Sequence, residues 1–218
     1  VSAPARITVG AILGKTLWLL RHHPLHLIVA LLLLTLPGVA IDIGLASASN
    51  GWKLNLLIGV LGLILQFGIT LVMLGRLGLR RGETTRFWAF FLLAIVTSLG
   101  IALGTLLLIV PGIVLFARWS IAIPAVVAGD ESAPDALAES WNGTRRHFWP
   151  ILAVLAAVYA PALTVVLFYS QPTILLSDLA PAIALNLLVQ APVIAGWCVS
   201  VAIYALVRGQ EGLSEIFE

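Results

Sequence analysis

Trp88-Ala-Phe-Phe-Leu-Leu-Ala-Ile-Val-Thr-Ser-Leu-Gly-Ile-Ala-Leu-Gly-Thr-Leu-Leu-Leu-Ile-Val110 contains no charged residue. At 1.5 Å per residue such a helix is about 35 Å long, enough to cross the ~30 Å hydrocarbon core of a bilayer. Pro111-Gly112 follows, and then Ile113-Val-Leu-Phe-Ala-Arg-Trp-Ser-Ile-Ala-Ile-Pro-Ala-Val-Val127, equally apolar apart from Arg118. The two runs read as membrane spans joined by a tight Pro-Gly hairpin with almost no exposed loop. A guanidinium in hydrocarbon costs roughly 2.5–3.5 kcal/mol on insertion scales, so Arg118 is expected to be paired or functional.

The same reading extends over the whole chain. Of 218 residues, 61% are hydrophobic and 10% charged, against ~25% charged in an ordinary soluble domain. Six segments qualify as spans: Leu25–Ile41, Leu54–Leu74, Trp88–Val110, Gly112–Ala128, Ile151–Tyr169 and Ala182–Val207. Ten of the twelve basic residues then fall on one side: Arg6, Lys15, Arg21, Arg76, Arg80, Arg81, Arg86, Arg145, Arg146 and Arg208. Only Lys53 lies on the other side, and Arg118 lies in the membrane. The positive-inside rule places both termini in the cytoplasm. Trp52, Trp88 and Trp149 fall at span ends, where an amphipathic ring prefers the headgroup level. The single cysteine, Cys198, excludes an internal disulfide framework and reads as a small buried residue. The chain begins at Val1, and no Ala-x-Ala site follows its basic, apolar start, so no cleavable signal peptide is expected.

Two stretches precede spans without being spans. Ile7–His23 carries Leu13, Leu17 and Leu20 at helical spacing, with Thr8, Lys15 and His22 on another face. Asp135–Trp149 carries Leu137, Trp141 and Phe148 opposite Glu139, Asn142 and Arg146. Both read as amphipathic helices at the cytoplasmic interface, each feeding a span. They align at a constant offset, pairing Leu13 with Leu137, Arg21 with Arg145, His23 with His147 and Pro37 with Pro161. Arg81-Gly82 and Arg208-Gly209 then form similar basic exits. The expected organisation is a single membrane domain with a first repeat over 1–86, a central hairpin over 87–131 and a second repeat over 132–218. An even number of intervening spans makes the repeats parallel.

The polar residues inside spans are the candidates for a site. Arg118, Asn186, Gln190 and Gln66 could cluster, with Asp42 or Asp178 above them; Asn186 and Gln190 share a helix face by their spacing. Such a cluster either satisfies itself and locks the bundle or holds a lipid phosphate or another anion. Trp119 and Trp197 read as packing residues. At the interface Lys15, Arg21, His22, Arg145, Arg146, Trp141 and Trp149 are expected to meet lipid headgroups, since the cytoplasmic leaflet is anionic. His22 and His26 are four apart, but Pro24 interrupts them and no cysteine or carboxylate completes a metal set. No Gly-rich phosphate loop, Gly-x-Ser-x-Gly elbow or paired acidic motif is visible, so no catalytic residue, metal or cofactor is expected.

Leu108-Ile-Val-Pro-Gly through Arg118-Trp119 to Val127, then Ala136-Leu-Ala-Glu-Ser-Trp141 and Arg145-Arg-His-Phe-Trp149, resembles the membrane domain of bacterial glycerophosphoryl diester phosphodiesterases and related stand-alone six-span proteins. The shared pattern is a Pro-Gly turn, an Arg-Trp in the next helix, an apolar-Pro step and a Ser-Trp helix ending in a basic pair. Arg21-His-His-Pro24 fits the usual start of that family. The catalytic barrel of the two-domain enzymes, with its metal-binding His and acidic cluster, has no counterpart in these residues, so the resemblance implies architecture and a link to envelope lipids rather than activity.

The sequence therefore leads to an all-α integral membrane protein of six transmembrane and two interfacial helices. The expected role is non-enzymatic: a scaffold or accessory subunit that contacts anionic membrane lipids, and other membrane-protein subunits, but no nucleic acid. The rival expectation is a small transporter or channel-like protein in which Arg118, Asn186 and Gln190 line a substrate path.

Overall fold

The computed structural model describes residues 7–44, 51–80, 87–129, 132–169 and 179–216. Arg6, Arg81, Arg86 and Asp178 lie outside the described residues. Helix dominates, and no strand occurs among the described residues. The order is α1 (Val9–His22), α2 (Pro24–Asp42), α3 (Gly51–Arg76), α4 (Phe87–Leu107), α5 (Ile109–Arg118), α6 (Ala122–Ala128), α7 (Ala133–Thr144), a 3-10 turn (Arg145–His147), α8 (Phe148–Tyr169) and α9 (Leu179–Ile216). Six stretches are long and apolar enough to cross a membrane: Pro24–Asp42, Trp52–Arg76, Phe87–Leu107, Ile109–Ala128, Ala133–Val165 and Leu179–Gly209. The protein is an all-α, multi-pass membrane protein.

The hairpin turns elsewhere than its sequence suggests. The break is at Leu108, whose extended backbone (φ −156°, ψ 130°) precedes α5. Pro111 and Gly112 lie inside the first turn of α5, where a missing proline N–H costs nothing because that donor has no helical acceptor. Gly112 instead serves packing. A Cβ there would lie 2.7 Å from the Thr105 backbone nitrogen, so only glycine lets α5 approach α4 this closely.

Both short helices form, each directly before a spanning helix. Thr8 caps α1, its hydroxyl accepting from Ala11 N at 3.2 Å. Ser132 caps α7, with Pro134 and Asp135 in the favoured first turn. The buried faces differ from the apolar stripes read in the sequence. In α1 Ile12, Thr16 and Leu19 are buried, while Leu13 and Leu17 are 39% and 51% exposed. In α7 the buried residues are Ala133, Ala136, Ser140 and Thr144. Beside a bilayer the bulky apolar stripe suits lipid, and the small-residue face is free for close protein contact.

The order of one short helix and two long ones occurs on both sides of the α4–α5–α6 segment, and Pro37 and Pro161 fall inside α2 and α8. The packing is not equivalent, however. Helix α1 lies against α8 and α9, whereas α7 lies mainly against α6, with contacts to α4 and α5. The core is built around α9, with Cys198, Val199, Val201, Ala202 and Ile203 fully buried. The seven-residue α6 meets α3, α4, α7 and α9 and buries six of its residues.

Candidate functional site: a broken helix around Arg118

The stretch from Ile109 to Ala128 does not run as one helix. After Arg118 the chain turns through Trp119, Ser120 and Ile121 before α6 begins. Pro124 supplies the cause: it lacks the N–H that would bond Ser120 O four residues back, and its ring would clash there. Ser120 O is taken instead by the Ser200 hydroxyl of α9. Ala122 N bonds back to Trp119 O at 3.1 Å, which leaves Arg118 O without its helical donor. Ser140 of α7 fills that place, its hydroxyl donating to Arg118 O at 2.7 Å. Thr144 stands one turn on, 3.2 Å from Arg118 O, but its single proton has a shorter path to Ser140 O at 2.7 Å. Hydroxyls from two other helices thus satisfy carbonyls that the break exposes, as a low-dielectric interior requires.

The Arg118 side chain is placed differently from its carbonyl. Its guanidinium carbon lies 5.3 Å from the Trp141 ring centre and 5.2 Å from that of Phe148. Its Nε and Nη1 are buried and have no hydrogen-bond acceptor among the described residues. The carboxylate of Glu139, next to Ser140 on α7, is engaged in an ion pair with Arg208. Two aromatic faces are worth roughly 0.5–2 kcal/mol each to a cation, yet neither offers the lone pairs that a guanidinium's donors require.

The expected clustering of Arg118 with Asn186, Gln190 and Gln66 is not what packing produces. Asn186 Nδ2 donates to Asp42 Oδ2 at 2.6 Å and to Ala182 O at 2.9 Å. Gly38 makes room for this pair, since a Cβ there would lie 2.1 Å from Asn186 Oδ1. Ser200, level with the helix break, is about 21 Å along α9 from Asn186 and about 12 Å from Arg208. Arg118 therefore belongs with the basic end of the bundle, and Asp42–Asn186 with the opposite end. Helix α5 begins at Ile109, three residues before the expected Gly112, so Arg118 lies deeper along it than that boundary implies. Gln66 on α3 and Gln190 on α9 are half-buried, and neither bonds to Arg118. Trp119 packs its ring on α4, where a Cβ at Gly100 would come within 2.6 Å of it.

The basic end gathers the expected interfacial residues. Lys15 Nζ lies 4.7 Å from the Trp18 ring centre, and Trp18 stacks on His22 at 4.2 Å, which makes a column along α1. Arg76 Nη1, from the end of α3, donates to His22 O at 3.4 Å and so caps α1. Arg21, Arg145, Arg146 and Trp149 are exposed, as is Trp141 at 40%. His23 is buried, and its two ring nitrogens have no hydrogen-bond partner among the described residues. Burial first, and then the positive Arg76, hold its pKa below the usual 6.5. No group of three His, Cys, Asp or Glu side chains among the described residues could hold a metal.

Sequence reading missed Ser140 and Thr144, whose four-residue spacing was the available signal, and Ser200, which carries none. Gly143 proves to be a crossing point: a Cβ there would lie 3.1 Å from Val207 Cγ1 and 3.4 Å from Ile121 Cδ1. In comparison with known families, residues 51–209 match the model of a domain of unknown function, DUF7847. No curated protein and no solved structure matches the chain.

Proposed function

We propose, for a chain that belongs to the DUF7847 family, a non-enzymatic role as a lipid-contacting scaffold or accessory subunit in a bacterial inner membrane. Both termini face the cytoplasm in this reading, which the charge distribution supports: ten of twelve basic residues share one side. The observation that carries the role is the two-sided character of α1. Ile12, Thr16 and Leu19 fix it to the bundle, while Leu13, Leu17 and Trp18 stay exposed alongside Lys15 and the exposed Arg21. A helix held by one face and offering apolar and cationic groups on another suits the boundary between acyl chains and anionic headgroups. In the rival transport reading Arg118, Asn186 and Gln190 would line a substrate path, and Asn186 is already bonded to Asp42.

Native mass spectrometry with lipid identification on the gently extracted full chain tests this. Anionic lipid should be retained in preference to zwitterionic lipid, and the Lys15→Gln, Arg21→Gln double variant should retain less. A wild type that holds neither lipid nor a partner chain would overturn the proposal.

A further inference from the structure

We infer that the cage formed by Arg118, Trp141 and Phe148 at the break between α5 and α6 is a binding site for a phosphate-class anion. The inference deepens the lipid reading above and rests on it.

The argument starts from what is missing around one cation. An arginine side chain keeps its charge at every accessible pH. Two donor nitrogens of Arg118 are shut away from solvent with no acceptor among the described residues, and a buried unpaired charge costs several kcal/mol. The carbonyls that the break exposes could have served, but Ser140 and Ser200 occupy them. Glu139, on the same short helix as Trp141, is held by Arg208. These acceptors are thus committed, while two donor nitrogens of Arg118 stay unpaired among the described residues.

The shape of the opening selects the ligand. Two ring faces hold the guanidinium in place and supply no lone pairs. Its nitrogens form a planar fork that matches two oxygens of a tetrahedral phosphate. Arg118 is half-buried and Trp141 is 40% exposed, so the cage borders the surface at the basic end, and an anion would reach the covered Nε and Nη1 by displacing the side chains over them. The phosphate can come from a lipid headgroup or from solution.

The test compares wild type, Arg118→Leu and Arg118→Lys as full chains. Each is probed with phosphatidylglycerol, with a neutral glycolipid lacking phosphate, and with inorganic phosphate in lipid-free detergent. Retention is read by native mass spectrometry, and thermal stability by tryptophan fluorescence. Wild type should retain phosphatidylglycerol at least about tenfold more tightly than Arg118→Leu. Arg118→Lys should fall between them, because it keeps the charge and loses the fork. The glycolipid should not distinguish the three. A thermal shift with inorganic phosphate as well would extend the site to free phosphate; a shift with the lipid alone would assign it to headgroups.

Without ligand, Arg118→Leu should be at least as stable as wild type, since it removes an unpaired buried charge. If it is equally less stable in every condition, Arg118 is a structural clamp and the inference falls. If all three proteins retain phosphatidylglycerol equally, the inference also falls while the lipid reading stands. If wild type binds neither phosphatidylglycerol nor phosphate, the inference falls, and if it also retains no other lipid and no partner chain, the lipid reading falls with it.

Discussion

Two polar features in the helical bundle invite comparison: the Asp42–Asn186 pair near one end and Arg118 near the other. Asn186 gives both amide hydrogens to acceptors, one on Asp42 and one on its own helix, and Gly38 is small where the pair needs space. Arg118 has its carbonyl satisfied and, beside two rings, two buried side-chain nitrogens with no acceptor among the described residues. A closed polar pair is how a bundle joins helices where apolar burial against lipid gives little preference for one neighbour over another. A charged group left open is how a bundle meets something outside itself. The difference separates a lock from a site, although both residues look alike in sequence, as single polar residues in apolar runs.

The comparison can be broken most forcefully at its closed end. Gly38→Leu should be the most damaging change, because even its Cβ would enter the space of the Asn186 amide. A loss of about 1–3 kcal/mol is expected, read as a lower unfolding temperature in detergent, unchanged by added phosphatidylglycerol. Asn186→Ala should cost somewhat less, about 1–2 kcal/mol, by stripping Asp42 of its donor. If either variant lost lipid retention while keeping its stability, the lock would have to be counted as part of the site.

Ser140→Ala sharpens the other end. It removes the principal donor to Arg118 O and should cost about 1 kcal/mol, with Thr144 able to take over part of the bond. Arg118 should keep its rings, so phosphatidylglycerol retention should change little. A large loss would show that the broken backbone itself positions the cage.

The smallest expected effect is a pH dependence at His23. Its folded pKa lies below the unfolded 6.5, so the unfolded chain takes up the proton first. The contribution of neutral His23 is complete above pH 6.5 and is lost as pH falls from there toward the lowered folded value. Unfolding temperature measured across that window should decline in wild type and decline less in His23→Gln. A flat wild-type profile would count against burial as the cause.

Much of the architecture was legible before any coordinates. Uninterrupted apolar runs and few charges dictate helices that satisfy their own backbone, and all six expected spans correspond to helical stretches of sufficient length and hydropathy. The two short helices were legible from spacing, although their buried faces were not. Leu13 and Leu17 mark an apolar stripe, and next to a bilayer an apolar stripe does not say whether it faces lipid or protein. The site was legible in part. Arg118 stood out because a charge in hydrocarbon is expensive, and Trp141 and Phe148 were visible as an aromatic face of α7 and its continuation. Nothing in the order of residues joined them.

The chain by itself determined its solvent, the number of its spans and the end at which positive charge collects, because each follows from residue type and the rise of a helix. Tertiary structure decided where the hairpin turns, which face of each short helix is buried, and which polar groups meet. Those outcomes depend on neighbours remote in the chain. Pro124 breaks a helix, Ser140 and Ser200 repair the exposed carbonyls, and the repair sets α7 beside α5, bringing two aromatic rings to a cation that no nearby acceptor has claimed.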